Sequence, residues 1–312
     1  MFGIVTFVVL VTAFMKSLAS SPLSRRTLIA AAAAAPFSAI AHAPEGAPVP
    51  PPGAREVLVN VPGARLWGWD SGGKGDPILL LHPATGSAAI WEYQYAAFRR
   101  AGYRVAAYSR RGHFGSPVER GAEFGHAVDD VIAVADAMNL DRFHLVATAA
   151  GGFIAPECAV LYPSRILSMV LACTQGGAAE PWLRRELDRI GPPSLRQLPA
   201  AVRELGPSYR GANPEGVARW EKLEEHAVIG ERVRQKPRVT LDAAALARIK
   251  TPTLVIAGGA DLIMPAPLAR RYAEMIPGGR FALLPDCGHS AYWEQPEAFN
   301  AEVLRFLRTR RR

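Results

Sequence analysis

Imidazole, carboxylate, thiol and hydroxyl groups gather in a few short segments of this 312-residue chain. His82-Pro83-Ala84-Thr85-Gly86-Ser87 follows the apolar run Pro77–Leu81, and Arg110-Arg111-Gly112-His113-Phe114-Gly115-Ser116 follows Tyr103–Tyr108. Ala147-Thr148-Ala149-Ala150-Gly151 continues the run from Phe143. Asp261 stands in GGADLIMP, and Cys287-Gly288-His289 precedes the last helical segment. Their spacing excludes several chemistries. Cys158, Cys173 and Cys287 form no CxxC pair and no HExxH occurs, so no metal site is expected. Three scattered cysteines are too few for a disulfide framework, although one bridge stays open. Gly151-Gly152 is not a dinucleotide loop, since no G-x-G-x-x-G follows a first strand, and no cofactor is expected. A histidine and an aspartate in separate loops are the groups of acid–base chemistry.

Alternating strands and helices must position these loops. Short strand-like runs at Glu56–Val61 and Ala64–Trp69 flank the Pro62-Gly63 turn and read as a hairpin. Pro77–Leu81, Tyr103–Tyr108, Phe143–Ala147, Ile166–Ala172, Thr253–Ala257 and Arg280–Leu284 read as buried strands. Helical spacing appears at 90–100, 124–138, 150–162, 267–275 and 296–307. Such alternation predicts an α/β fold with a mostly parallel, eight-stranded sheet flanked by helices. From Gly176 to about residue 240 no strand is expected, only polar, proline-interrupted helices. An insertion of this kind reads as a helical cap over the C-terminal edge of the sheet.

The order and spacing of the five segments resemble the α/β-hydrolase superfamily over about residues 55–308. That resemblance implies roles. Asp261 occupies the position of the acid and His289 that of the base. The nucleophile elbow, usually G-x-S-x-G, reads Ala147-Thr148-Ala149-Ala150-Gly151 here, so the nucleophile position is Ala149. A methyl group can neither be deprotonated nor carry an acyl group. Thr148 leaves the backbone in another direction, and Cys158 reads as a small buried hydrophobe. The oxyanion hole would be formed by the N–H groups of Ala84 and Ala150. The chain thus reads as an enzyme using an Asp261–His289 dyad and an oxyanion hole, by proton abstraction or direct water activation. The alternative is a catalytically inactive relative that binds a ligand or partner. Its pocket is expected to be lined by His113, Phe114, Trp182 and Tyr292, suiting a small apolar or aromatic substrate.

Composition bears on address more than chemistry. The chain is 49% hydrophobic, with a net charge of +8, which excludes a disordered or collagen-like chain. Seven of those charges sit at the ends: Lys16, Arg25 and Arg26 within residues 1–41, and Arg308, Arg310, Arg311 and Arg312. The body is nearly neutral, and nucleic-acid binding is not expected. Ser24-Arg25-Arg26-Thr27-Leu28-Ile29, six alanines and two A-x-A sites resemble a twin-arginine (Tat) export signal. Residues 1–41 are therefore expected to be a signal segment, 42–54 a proline-rich linker, 55–308 the hydrolase-like domain and 309–312 a basic tail. The expected location is periplasmic or secreted, with no stable membrane span after signal removal. If residues 1–14 are translated and retained they could tether the chain, with Met15 as an alternative start. Nothing in the sequence signals an oligomeric state.

Overall fold

The computed structural model describes residues 48–191, 193–230 and 232–309. The twin-arginine segment, residues 42–47 of the linker and Arg310–Arg312 lie outside them.

Eight strands form one sheet: β1 (Arg55–Val61), β2 (Ala64–Asp70), β3 (Pro77–Leu81), β4 (Arg104–Tyr108), β5 (Phe143–Thr148), β6 (Ile166–Ala172), β7 (Thr253–Gly258) and β8 (Arg280–Leu284). Their spatial order is β1-β2-β4-β3-β5-β6-β7-β8. The β1–β2 and β2–β4 pairs are antiparallel and the other five pairs are parallel. The run from β3 to β7 is apolar on both faces because helices cover both faces. Leu79 and Leu81 of β3, with Leu145 and Ala147 of β5, point into one core. Ile78, Leu80 and Val146 point into the other. The first core is closed by α2 (Ala127–Ala137), α3 (Ala155–Leu161), α8 (Ala243–Ala247) and α9 (Ala266–Glu274), the second by α1 (Glu92–Arg100), α10 (Ala291–Glu294) and α11 (Pro296–Arg308).

Between β6 and β7 lies the cap, comprising α4 (Pro181–Ile190), a 3₁₀ turn (Pro193–Gln197), α5 (Ala200–Glu204), α6 (Pro207–Ala212) and α7 (Pro214–Glu225). No strand forms there among the described residues. The segment after α7 runs back along the domain, where the Phe114 N–H donates to Ala227 O (3.0 Å) and the Ile229 N–H to Gly112 O (2.8 Å).

Four sequence expectations are corrected. Arg280–Leu284 is an edge strand with Arg280 and Leu283 exposed, since only β7 pairs with it. The helix expected over 150–162 is split into a 3₁₀ turn (Ala149–Phe153) and α3, with Pro156 in the first turn of α3. The helix expected from 124 begins at Ala127. The proline-rich run is not a free spacer at its end, because Tyr95 Oη donates to Pro52 O at 2.8 Å.

Asp70 ties the antiparallel edge to the parallel sheet. Fully buried at the end of β2, it accepts from Arg104 Nε (2.9 Å) and Nη2 (2.6 Å) on β4 and from Arg55 Nη2 (2.9 Å) on β1. Burial raises its pKa, but the bonds from Arg104, the Gly72 N–H and Arg55 outweigh that and leave it lowered. Its stabilisation is therefore present above the ordinary carboxylate value and lost as pH falls through the lower native one. Asp70→Asn should cost about 3 kcal/mol of stability near neutral pH. Urea unfolding of both forms, repeated on acidification, should show the difference shrinking.

Candidate functional site

The C-terminal ends of the parallel strands share one edge of the sheet, so the loops after β3, β5, β6, β7 and β8 open there together. After β5 the backbone turns at Ala149 with φ +48°, a left-handed conformation that costs a non-glycine residue roughly 1–2 kcal/mol. Two glycines make this turn possible. A Cβ on Gly151 would collide with the carbonyl of Leu81 at the end of β3, and one on Gly152 with Thr174. Thr174 Oγ1 fixes the turn by donating to Ala149 O at 2.6 Å. The Ala149 methyl faces a cavity, while the Thr148 hydroxyl is buried away from it. Ala150 follows in the first turn of the 3₁₀ segment, where backbone N–H groups lack intrahelical acceptors.

Asp261, after β7, and His289, after β8, meet through a 2.8 Å bond in which His289 Nδ1–H donates to Asp261 Oδ2. The other carboxylate oxygen, Oδ1, accepts the N–H groups of Ile263 (2.8 Å) and Met264 (2.9 Å), which fixes its plane. Both side chains are buried. Burial lowers the His289 pKa, but the charge and hydrogen bond of Asp261, then the charges of Glu204 and Glu294, carry it above its ordinary 6.5. The His289 loop is also bound to the cap. Its N–H donates to Glu204 O at 2.7 Å, and Glu294 Oε2 accepts from Gly206 N–H (2.8 Å) and Gly288 N–H (2.9 Å).

A cavity of about 190 Å³ joins these parts. Its wall contains Ala84, Ala149, Ala150 and His289, together with Thr85, Glu204, Arg203 and Arg232. The four expected pocket residues stand elsewhere. His113 packs against His82, with ring centroids 4.6 Å apart and planes tilted by 59°, and burial pulls its pKa down to about 4. Tyr292 is buried against Trp91. Trp182 lies beneath the Arg271 guanidinium at 3.8 Å, and the Phe114 backbone is bonded to the cap. Phe153 is the one Phe, Tyr or Trp side chain in the cavity wall, where Ala84, Ala149, Ala150 and Ile263 form an apolar part beside the polar groups of Thr85, Gln175, Arg203, Glu204 and Arg232. An aromatic count along the cap misleads because most of those rings pack in the core or against neighbouring side chains.

Cys173 also reaches the wall, at φ +48° after β6. Burial pushes its thiol well above the ordinary range, with the charges of Asp261 and Cys287 adding to the effect, so it is a poor thiolate. Cys158 is fully buried within α3 and likewise raised by burial. Among the described residues no cluster of three or more His, Cys, Asp or Glu could hold a metal, and no helix is long and apolar enough to cross a membrane. Glu204 is a titratable side chain of the cavity wall that sequence reasoning did not single out. It sits in a polar, proline-bounded cap helix whose docking onto the loops has no local signature.

The family described as "Alpha/beta hydrolase family" matches residues 78–302, and the chain belongs to it. A relative named "Putative non-heme bromoperoxidase BpoC", from Mycobacterium tuberculosis, is 29% identical over 259 residues, 77% of this chain and 96% of the relative. A 2-hydroxy-6-oxo-6-phenylhexa-2,4-dienoate hydrolase from Comamonas testosteroni is 28% identical over 78% of this chain and 91% of its own length. Among solved structures, a thermophilic esterase from Thermogutta terrifontis superposes with a TM-score of 0.64 at 24% identity, covering 82% of this chain and 99% of that one. It shares the fold.

The ion pair sets the expected titration of His289. Followed by histidine NMR, its midpoint should lie above 6.5 in the parent protein and fall by about a unit or more in Asp261→Asn. A midpoint that does not respond to the substitution would contradict the geometry.

Proposed function

We propose that this α/β-hydrolase family member is an enzyme that moves protons at a small organic carbonyl compound without forming a covalent intermediate. His289 Nε2 is the base. Nδ1 is engaged by Asp261, which fixes the tautomer and supports the positive charge once Nε2 takes a proton. The proton comes from an acidic site on the substrate or from a water molecule. In the second case the water oxygen bonds to the carbonyl carbon, and the carbonyl π electrons move onto oxygen. The resulting oxyanion is placed at the N–H groups of Ala84 and Ala150, both at the cavity wall. The observation that carries the reading is His289, bonded to Asp261 and lining one cavity with Ala149, whose methyl offers no bond to an acyl group.

The substrate class follows from the cavity. About 190 Å³ admits a compound of few heavy atoms, with Arg203, Arg232, Gln175 and Thr174 available to a polar end and Ala84, Ala149, Ala150, Phe153 and Ile263 to an apolar body. The curated relatives include a dienoate hydrolase, consistent with carbonyl chemistry on a small molecule. Ala149→Ser should raise hydrolysis of p-nitrophenyl acetate at least about a hundredfold, because a hydroxyl at the turn would complete an assembled base and oxyanion site. His289→Ala should abolish both the parent activity and the gained one. Failure of Ala149→Ser to gain esterase activity would mean that the N–H groups and base are not aligned, and would favour the inactive, ligand-binding alternative.

The chain is also proposed to be exported, on the strength of Arg25-Arg26 and the alanine-rich run after them. Fractionated bacterial cells should hold the parent protein in the periplasm or medium. The Arg25→Lys, Arg26→Lys double variant should stay in the cytoplasm, and an unchanged distribution would remove the export reading.

A further inference from the structure

We propose that Glu204, brought to the cavity by cap helix α5, is the proton donor that works opposite His289; this rests on the acid–base reading of the site given above. Glu204 is buried and lines the same cavity as His289, Ala149 and Ala84. Its carboxyl is asymmetrically held. Oε2 accepts from Thr85 Oγ1 at 2.7 Å and from Ser290 Oγ at 3.5 Å. No described residue donates to Oε1, and that oxygen is not sealed from the cavity. His289 has the same arrangement, with Nδ1 engaged by Asp261 and Nε2 left open. Glu204 and His289 therefore each have one atom fixed by the protein and one available to a substrate.

Both groups hold a proton more firmly than is usual for their kind. Burial raises the Glu204 carboxyl, opposed by the charge of His289, the Thr85 bond and the charge of Arg203, while Glu224 adds to the rise. The groups acting on His289 are Asp261, Glu204 and Glu294, all of which hold its proton more firmly. Hydrolysis without an acyl-enzyme needs a proton removed from water and another delivered to the leaving group. His289 takes the first as the water oxygen bonds to the carbonyl carbon. When the carbon–oxygen bond to the leaving group breaks, its electron pair takes the proton on Glu204. His289 then carries one extra proton and Glu204 one fewer, and exchange with solvent returns both to their starting states.

The position is otherwise readable as a fastening, since the same residue joins the cap to the Thr85 and Ser290 loops. The two roles separate by leaving group. A nitrophenolate departs as a stable anion, whereas an alkoxide must be protonated to leave. Glu204→Gln keeps an oxygen for Thr85 but carries no transferable proton. The ratio of kcat/KM for p-nitrophenyl acetate to that for ethyl acetate should therefore rise at least about tenfold in Glu204→Gln. Equal losses on both esters would reduce Glu204 to a fastening and overturn the proposal. A second measurement needs no turnover. In protein carrying ¹³C-carboxyl glutamate, the resonance lost in Glu204→Gln should titrate above the ordinary 4.5 and move higher in His289→Ala. A midpoint at or below the ordinary value, or one indifferent to His289, would overturn the donor role. Absence of all ester turnover in the parent protein would count against the proposed function alone, because the titration still decides the state of Glu204.

Discussion

The turn between β5 and the segment that leads into α3 constrains everything around it. A fully buried central strand must end, reverse its side-chain direction and enter a helix within a few residues. Space is set by the Leu81 carbonyl on one side and Thr174 on the other. Only glycine fits at 151 and 152, and Ala149 is held in the left-handed region to bring the chain round. The same geometry aims residue 149 at the cavity and places the Ala150 N–H at its wall. Such a turn carries its conformational cost whether or not the side chain at its tip reacts. Here it presents a methyl group, so what the strained backbone supplies is a donor position and a shape.

The second constraint is the cap. Glu204 O takes the N–H of His289, and Glu294 joins Gly206 of the cap to Gly288 beside the base. A Cβ on Gly288 would strike the Gly206 backbone, so the two segments are in direct contact. The cap is thus part of what orients the imidazole, not only a cover. In the proposed chemistry, placing His289 and Glu204 on one interlocked set of loops lets two protons be handled in one small cavity.

Much of this was legible in the sequence. The eight strands were readable because runs such as PILLL, buried on both faces, have no polar residue to blur their ends. Asp261, His289 and Ala149 stood out as candidates because each follows a strand in a segment with a distinctive local pattern. The edge strand Arg280–Leu284 reads as apolar even though half of it faces solvent, since periodicity does not report how many neighbours a strand has. Glu204 and the true cavity wall were not readable, because they arise from a cap helix docking across loops more than a hundred residues away in sequence, as the Thr85–Glu204 bond illustrates. The aromatic side chains drew attention for their size, yet Tyr292 belongs to the core and Trp182 to a cation–π contact.

The central claim is that chemistry proceeds at His289 without a bond to the protein. Intact mass spectrometry of the parent enzyme, quenched during steady turnover of p-nitrophenyl acetate, tests it most directly. The account predicts turnover that disappears in His289→Ala and a protein mass that stays free of acetyl at every time point. An acetylated chain that forms and decays at the rate of turnover would contradict it, as would turnover indifferent to His289.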